Sequence, residues 1–210
     1  IHSTINKIYL HQENCDMPLT GETSIIGTGI YLLVNKLLDH EKAIPNFTIL
    51  QTEKEELLHW HLTEDLYVNI KQYIDRVDRV ECNGEQYIRI IDYKTGSDKT
   101  STSSVANMFN AKSQTRAKAM LQLMLYCNVY SQLHNPTIPI RPIIYTIRNI
   151  NESGFKISKT DVKDYTCVNN EYMQSLTSVI SDIFNPDIPF TQTKNENNCQ
   201  YCKFVDFCRK

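Results

Sequence analysis

At 210 residues and 41% hydrophobic content, the chain can bury a core of its own and is expected to form a single domain over residues 1–210. Lys and Arg (22) nearly balance Asp and Glu (24), which excludes a uniformly basic face and leaves room only for a local basic cleft. No apolar run is long enough to span a bilayer and no signal peptide is visible; with seven cysteines, an odd number, a reducing cytoplasmic compartment is favoured over a disulfide framework.

In chain order, Ile25, Ile26, Ile30, Leu33, Val34, Leu37 and Leu38 recur at helical spacing, predicting an amphipathic helix from Glu22 to about Lys42 that Pro45 closes. Phe47 to Leu50 reads as a short strand delivering Glu53 or Glu55 to a sheet edge or a site. Leu66 to Glu81 is β-prone up to Asn83-Gly84, a pair that favours a two-residue hairpin turn because both central residues of a type I′ turn need positive φ. The following strand, YIRIIDYKTG from Tyr87 to Gly96, ends in a polar run, SDKTSTSS, expected to be a mobile loop. A short apolar patch, Val105 to Phe109, precedes a second polar loop. Arg116 to Leu133 predicts a buried helix stopped by His134, Asn135 and Pro136, in which Cys127 reads as a small buried thiol. Ile140 to Ile147 predicts a strand with which Phe155 to Ser158 could pair, and Glu171 to Phe184 a last amphipathic helix. Helices and strands mixed in this way favour an α/β (α+β) fold with a central mixed sheet flanked by helices.

Charge placement on the hairpin points to chemistry. Side chains alternate along a strand, so Ile88, Ile90, Asp92 and Lys94 share one face, and the last two carry charge where burial is expected. If Asn83 and Gly84 make the turn without a bulge, Asp78 faces Arg89, Val77 faces Ile90 and Asp75 faces Asp92. Directly opposed side chains lie roughly 4.5–5.5 Å apart at Cβ, so two carboxylates there call for a shared proton or a cation. Mg²⁺ or Mn²⁺ suits such oxygen donors, with Lys94 beside it to assist an attacking water or stabilise transition-state charge in phosphodiester hydrolysis. The plain alternative is a pair of solvated strand-end carboxylates with Lys94 as a surface partner.

The runs YIDRVD, IIDYKTG and QLMLY resemble the signature of PD-(D/E)XK nucleases of the RecB and AddB type, over most of the chain from about Phe47. The resemblance implies a restriction-endonuclease-like core. It matches Asp75 and Asp92 to metal-binding carboxylates, Lys94 to the catalytic lysine and the Tyr93 backbone carbonyl to a further metal ligand. Glu53 is the best match to an acidic residue on the preceding strand. Gln122 and Tyr126 match a Q-x-x-x-Y element, with Lys118 one turn earlier on the same helical face; a polar seam on a buried helix is the plain alternative. Two departures stand out. Gln72 and Tyr73 replace the glycine often found before the Ile-Asp pair, and none of His11, His40, His59 and His61 matches the family's upstream metal-binding histidine.

Cys199, Cys202 and Cys208 form C-x-x-C-x-x-x-x-x-C, a cysteine cluster motif over 199–208. In AddB-like relatives three such cysteines and a distant N-terminal one hold a 4Fe–4S cluster; zinc is the chemical runner-up. Cys15 is the N-terminal candidate in view, without the expected surroundings. Because the chain opens on Ile1 rather than Met, a longer protein is expected to carry the upstream histidine and fourth cysteine.

These features predict a Mg²⁺-dependent deoxyribonuclease domain, exonuclease-type, with DNA and a helicase domain or subunit as partners. Lys99, Lys112, Arg116 and Lys118 are expected to contact phosphates. A catalytically inactive nuclease-fold module for DNA binding or scaffolding is the alternative.

Overall fold

The structure is a computed structural model describing residues 1–12, 16–44, 46–64, 66–110, 117–200 and 202–208. Cys15, Lys112, Arg116 and Pro45 lie outside the described residues.

A short helix α1 (His2–Thr4) runs through a π-helical turn (Ile5–Tyr9) towards the long helix α2 (Gly21–Lys42). Strands β1 (Phe47–His61), β2 (Tyr67–Cys82) and β3 (Glu85–Lys94) follow, then the two-residue β4 (Ser101–Thr102) and the short helix α3 (Ala106–Phe109). Helix α4 (Lys118–His134), strand β5 (Ile140–Thr146), strands β6 (Lys156–Ile157) and β7 (Thr160–Asp161), and helix α5 (Thr166–Phe184) complete the order. The main sheet runs β1-β2-β3-β5, with β1, β2 and β3 antiparallel and β5 parallel to β3. This is the mixed sheet flanked by helices that the sequence predicts.

One face of the sheet is apolar. Val77, Ile88, Ile90, Ile140 and Ile144 bury against Met120, Leu123, Met124 and Cys127 of α4, and Tyr172 and Leu176 of α5 join the same core. Helix α4 ends where Asn135 turns left-handed at φ 44°, a C-terminal conformation asparagine tolerates. The opposite face holds a buried ionic network. Arg89 bonds both oxygens of Asp78 (2.7 Å each), Arg76 bonds Asp78 (2.5 Å) and Glu41 of α2 (2.8 Å), and Tyr145 donates to Glu41 (2.5 Å). The expected Asp78–Arg89 cross-strand pair is thus the centre of a larger cluster.

Four local expectations change. β1 does not stop at Leu50 but pairs with β2 as far as His61, across a register shift between Ile49 and Gln51. Its charged residues Lys54 and Glu55 are exposed on an edge strand, where charge blocks further pairing. The SDKTSTSS loop is ordered in part, because Ser101 and Thr102 pair with β6, which in turn pairs with β7. Of the segment expected to return to β5, only the adjacent Gly154 does so, opposite Ile144; Lys156 and Ile157 turn to the small sheet instead. The expected apolar face of α2 is also largely open, with Ile25, Ile26, Ile30 and Leu38 exposed.

Candidate active site

The site begins with the hairpin. Asn83 and Gly84 have φ of 53° and 80°, both left-handed as a type I′ turn requires. The ladder then pairs Cys82 with Glu85, Asp78 with Arg89, Val77 with Ile90 and Arg76 with Ile91. One step further in the same register sets Asp75 opposite Asp92, where Asp75 Oδ2 accepts the Tyr93 N–H at 2.7 Å. On the other side of β2, Thr52 pairs with Arg76 and Lys54 with Ile74, so Glu53 falls opposite Asp75. Glu53, Asp75 and Asp92 therefore lie in one row across three neighbouring strands. Glu53 has φ 48°, a strained conformation for a non-glycine residue. Glu55 is committed elsewhere, to Lys71 at 2.9 Å and to the Tyr73 hydroxyl.

Asp92 is 1% exposed. Lys94 Nζ stands 2.9 Å from its Oδ1, which accepts a hydrogen bond, and 2.8 Å from its Oδ2, which accepts none. The same ammonium donates to Gln122 Oε1 at 3.1 Å, and Gln122 Nε2 donates to Tyr126 OH at 2.5 Å. Gln122 thus reaches the lysine from the apolar side of the sheet, and Tyr126, at i+4 on α4, backs Gln122. Burial pushes the Asp92 carboxyl up to about 6; Lys94 opposes this and the charges of Asp75 and Asp98 add to it. Burial likewise raises Tyr126, helped by the carboxylates of Asp92, Asp75 and Glu53.

Asp98 is a residue that sequence reasoning missed. The signal available was a second carboxylate six positions after Asp92, in the turn-rich loop that leaves the strand end. The Glu41–Arg76–Asp78–Arg89 network was also missed beyond its central pair. Arg76 Nη1 donates to Tyr93 OH at 3.1 Å, so the network also touches, from behind, the residue between Asp92 and Lys94.

The donors present suit a hard divalent cation: two or three carboxylates, a peptide carbonyl at Tyr93, and a buried carboxylate oxygen without a hydrogen bond. Among the described residues, no three His, Cys, Asp or Glu side chains converge into a metal cage. Mg²⁺ does not require one, because it retains water and uses one or two carboxylates with substrate phosphate. His59 bonds Asn69 at 2.5 Å and His40 packs edge-on against Tyr145.

Lys118 is exposed at the start of α4 and Lys99 is exposed in the loop after β3. Cys199, Cys202 and Cys208 are free thiols, half-buried, in a segment held by main-chain bonds such as Cys202 N–H to Cys199 O at 3.0 Å. Their sulfurs suit iron, but they too fall outside any gathered metal-binding group among the described residues.

With the fold and this geometry in place, a sequence model of the PD-(D/E)XK nuclease superfamily matches residues 29–209. The chain belongs to the PD-(D/E)XK nuclease superfamily. Two curated relatives, ATP-dependent helicase/deoxyribonuclease subunits B from two strains of Clostridium perfringens, are each 58% identical over 36 residues, 17% of this chain. That match covers 3% of the relatives' own length. Among the described residues no helix is long and apolar enough to cross a membrane.

Proposed function

We propose that the chain is a metal-dependent DNA nuclease domain of exonuclease type, one part of a larger cytoplasmic helicase–nuclease acting in DNA repair and recombination. DNA is the substrate and a helicase domain or subunit the partner. The observation that carries this reading is Asp92, a carboxylate buried opposite Asp75 with one oxygen lacking a hydrogen bond although Lys94 is beside it. Burying a carboxylate with only one cationic partner is costly, and a cation recruited with the substrate would offset part of that cost.

Asp75, Asp92, Glu53 and the Tyr93 carbonyl would hold Mg²⁺ or Mn²⁺. Such a cation, when bound, neutralises the scissile phosphate and favours ionisation of the attacking water. The chain's own residues supply the rest. Lys94, fixed between Asp92 and Gln122, presents its ammonium to the non-bridging oxygen on which charge develops. Gln122 Oε1 gives that ammonium a second acceptor beside Asp92. Tyr126 accepts the Gln122 N–H, and its own hydroxyl proton, kept in place by burial and nearby carboxylates, remains available to a substrate oxygen. Cys199, Cys202 and Cys208 are proposed as three ligands of a 4Fe–4S cluster completed by a fourth cysteine, which would tie the domain's ends together.

The test uses end-labelled linear DNA and a closed circle of the same sequence with Mg²⁺. D92N and K94A are each expected to lower cleavage at least about 100-fold, with the circle spared by the wild type. Undiminished cleavage by D92N, or cleavage by the wild type in EDTA, would overturn the reading.

A further inference from the structure

Among the described residues, two hairpin turns have left-handed residues at both central positions. At the β2–β3 hairpin the pair is Asn83-Gly84, the residues such a turn favours. At the β6–β7 hairpin it is Ser158-Lys159, with φ of 51° and 66°. A lysine gains nothing from that conformation and is strained in it. The turn is held from outside: Ser158 N–H donates to Thr102 O at 2.9 Å and Ser158 Oγ donates to Ser103 O at 2.6 Å. The small sheet thus clamps a lysine at a tip where a glycine would be easier.

That tip lines a groove of about 640 Å³. Lys99 and Lys159 line it together with the hydroxyls of Ser101, Ser103 and Ser158 and the amide of Asn107. Among the described residues its lining carries two cations and no carboxylate, in a chain whose net charge is −2. Two of its lining residues adjoin in sequence the elements that carry the candidate active site. Lys99 follows Asp98, whose charge reaches Asp92, and Ala117, also in the lining, immediately precedes α4, which brings Gln122 to Lys94.

We infer that this groove seats the phosphodiester backbone of a single DNA strand running to or from the site, with Lys159 and Lys99 pairing to successive phosphates and the hydroxyls of Ser101 and Ser103 donating to their oxygens. Cations and hydroxyls are the groups that bind phosphate and sugar. Phosphate contacts carry no sequence information, so recognition is independent of sequence. The inference rests on the nuclease reading for its substrate, but it can fail separately.

The discriminating variant is K159G, because glycine relieves the strained turn while removing the charge. Binding of a fluorescein-labelled single-stranded oligonucleotide is measured by anisotropy in EDTA, across a salt titration, for wild type, K159G, K159R and K99A/K159G. K159G is expected to unfold no earlier in urea than the wild type, yet to bind several-fold more weakly, with the salt slope reduced by about 0.7 for the lost phosphate contact. The double variant is expected to lose about twice that slope, and K159R to retain it. Two oligonucleotides of unrelated sequence should respond alike. Unchanged affinity and slope in K159G, with Mg²⁺-dependent cleavage intact in the wild type, would overturn the groove and leave the nuclease reading standing. Weakened binding in K159G, with no cleavage by the wild type, would support the groove and refute that reading.

Discussion

Asp92 carries a cost in the metal-free protein whose sign can be worked out. Burial raises its carboxyl to about 6, against Lys94 and with help from Asp75 and Asp98. An aspartate in the unfolded chain titrates near about 3.9. Between those values the native state binds the proton that the unfolded state has released, so this group's contribution is most favourable at low pH and is lost as pH rises through about 6. The loss amounts to at most about 3 kcal/mol at pH 8. D92N, similar in shape but uncharged, should therefore unfold in urea with EDTA at pH 8 no earlier than the wild type, even as it loses cleavage. Adding Mg²⁺ should raise the wild-type midpoint and leave that of D92N unmoved. If Asp92 served only as the structural partner of Lys94, D92N would instead lower the midpoint with or without the cation.

At the scale of elements, the ionic network behind the site joins α2, β2, β3 and β5. Arg89 is 1% exposed and is shared between Asp78, Glu41 and Tyr145. Methionine at position 89 would leave two buried carboxylates with one arginine, a loss expected to cost about 3–5 kcal/mol in urea denaturation. Burial pushes Glu41 up, but the Tyr145 hydrogen bond and the charges of Arg89 and Arg76 outweigh it and hold the carboxyl below its usual range. Its contribution is therefore present above the unfolded value and is lost as pH falls through the depressed one, so E41Q should flatten the acid limb of the stability profile. The same elements show what the sequence could disclose. A two-residue turn at Asn83-Gly84 sets the register of everything on its two strands, so Asp75, Asp92 and the Asp78–Arg89 pair could be read by counting outward. Glu41 lies 48 residues from Arg89 and Tyr145 lies 56, and no local pattern relates them. The second half of β1 was hidden because Glu and Lys are poor strand formers, and only the edge position makes them suitable. The β4–β6 pairing was hidden because it joins segments more than 50 residues apart, and Ser101 and Thr102 read locally as turn.

For the whole molecule, the open structural matter is the C-terminal segment. Leu176 is the last buried residue among those described, and everything from 185 to 208 that is described lies at least partly open to solvent, with Phe190 at 86% and Phe207 at 88% exposure. A segment that buries so little contributes little to folding, so deletion of 186–210 should change the urea stability of the metal-free domain by no more than about 0.5 kcal/mol. The cysteine motif gives this weakly anchored tail a reason to be there. Cluster ligation would convert it into a covalent strap across the domain, and the stabilisation would come from iron and sulfide rather than from packing. Protein that includes the fourth cysteine, reconstituted anaerobically, should show visible iron–thiolate absorbance and a higher unfolding temperature. C202S should lose both and match the metal-free wild type. A large destabilisation on deleting the tail from metal-free protein would mean that the segment packs as a structural element in its own right, and an unfolding temperature unmoved by reconstitution would remove the strap.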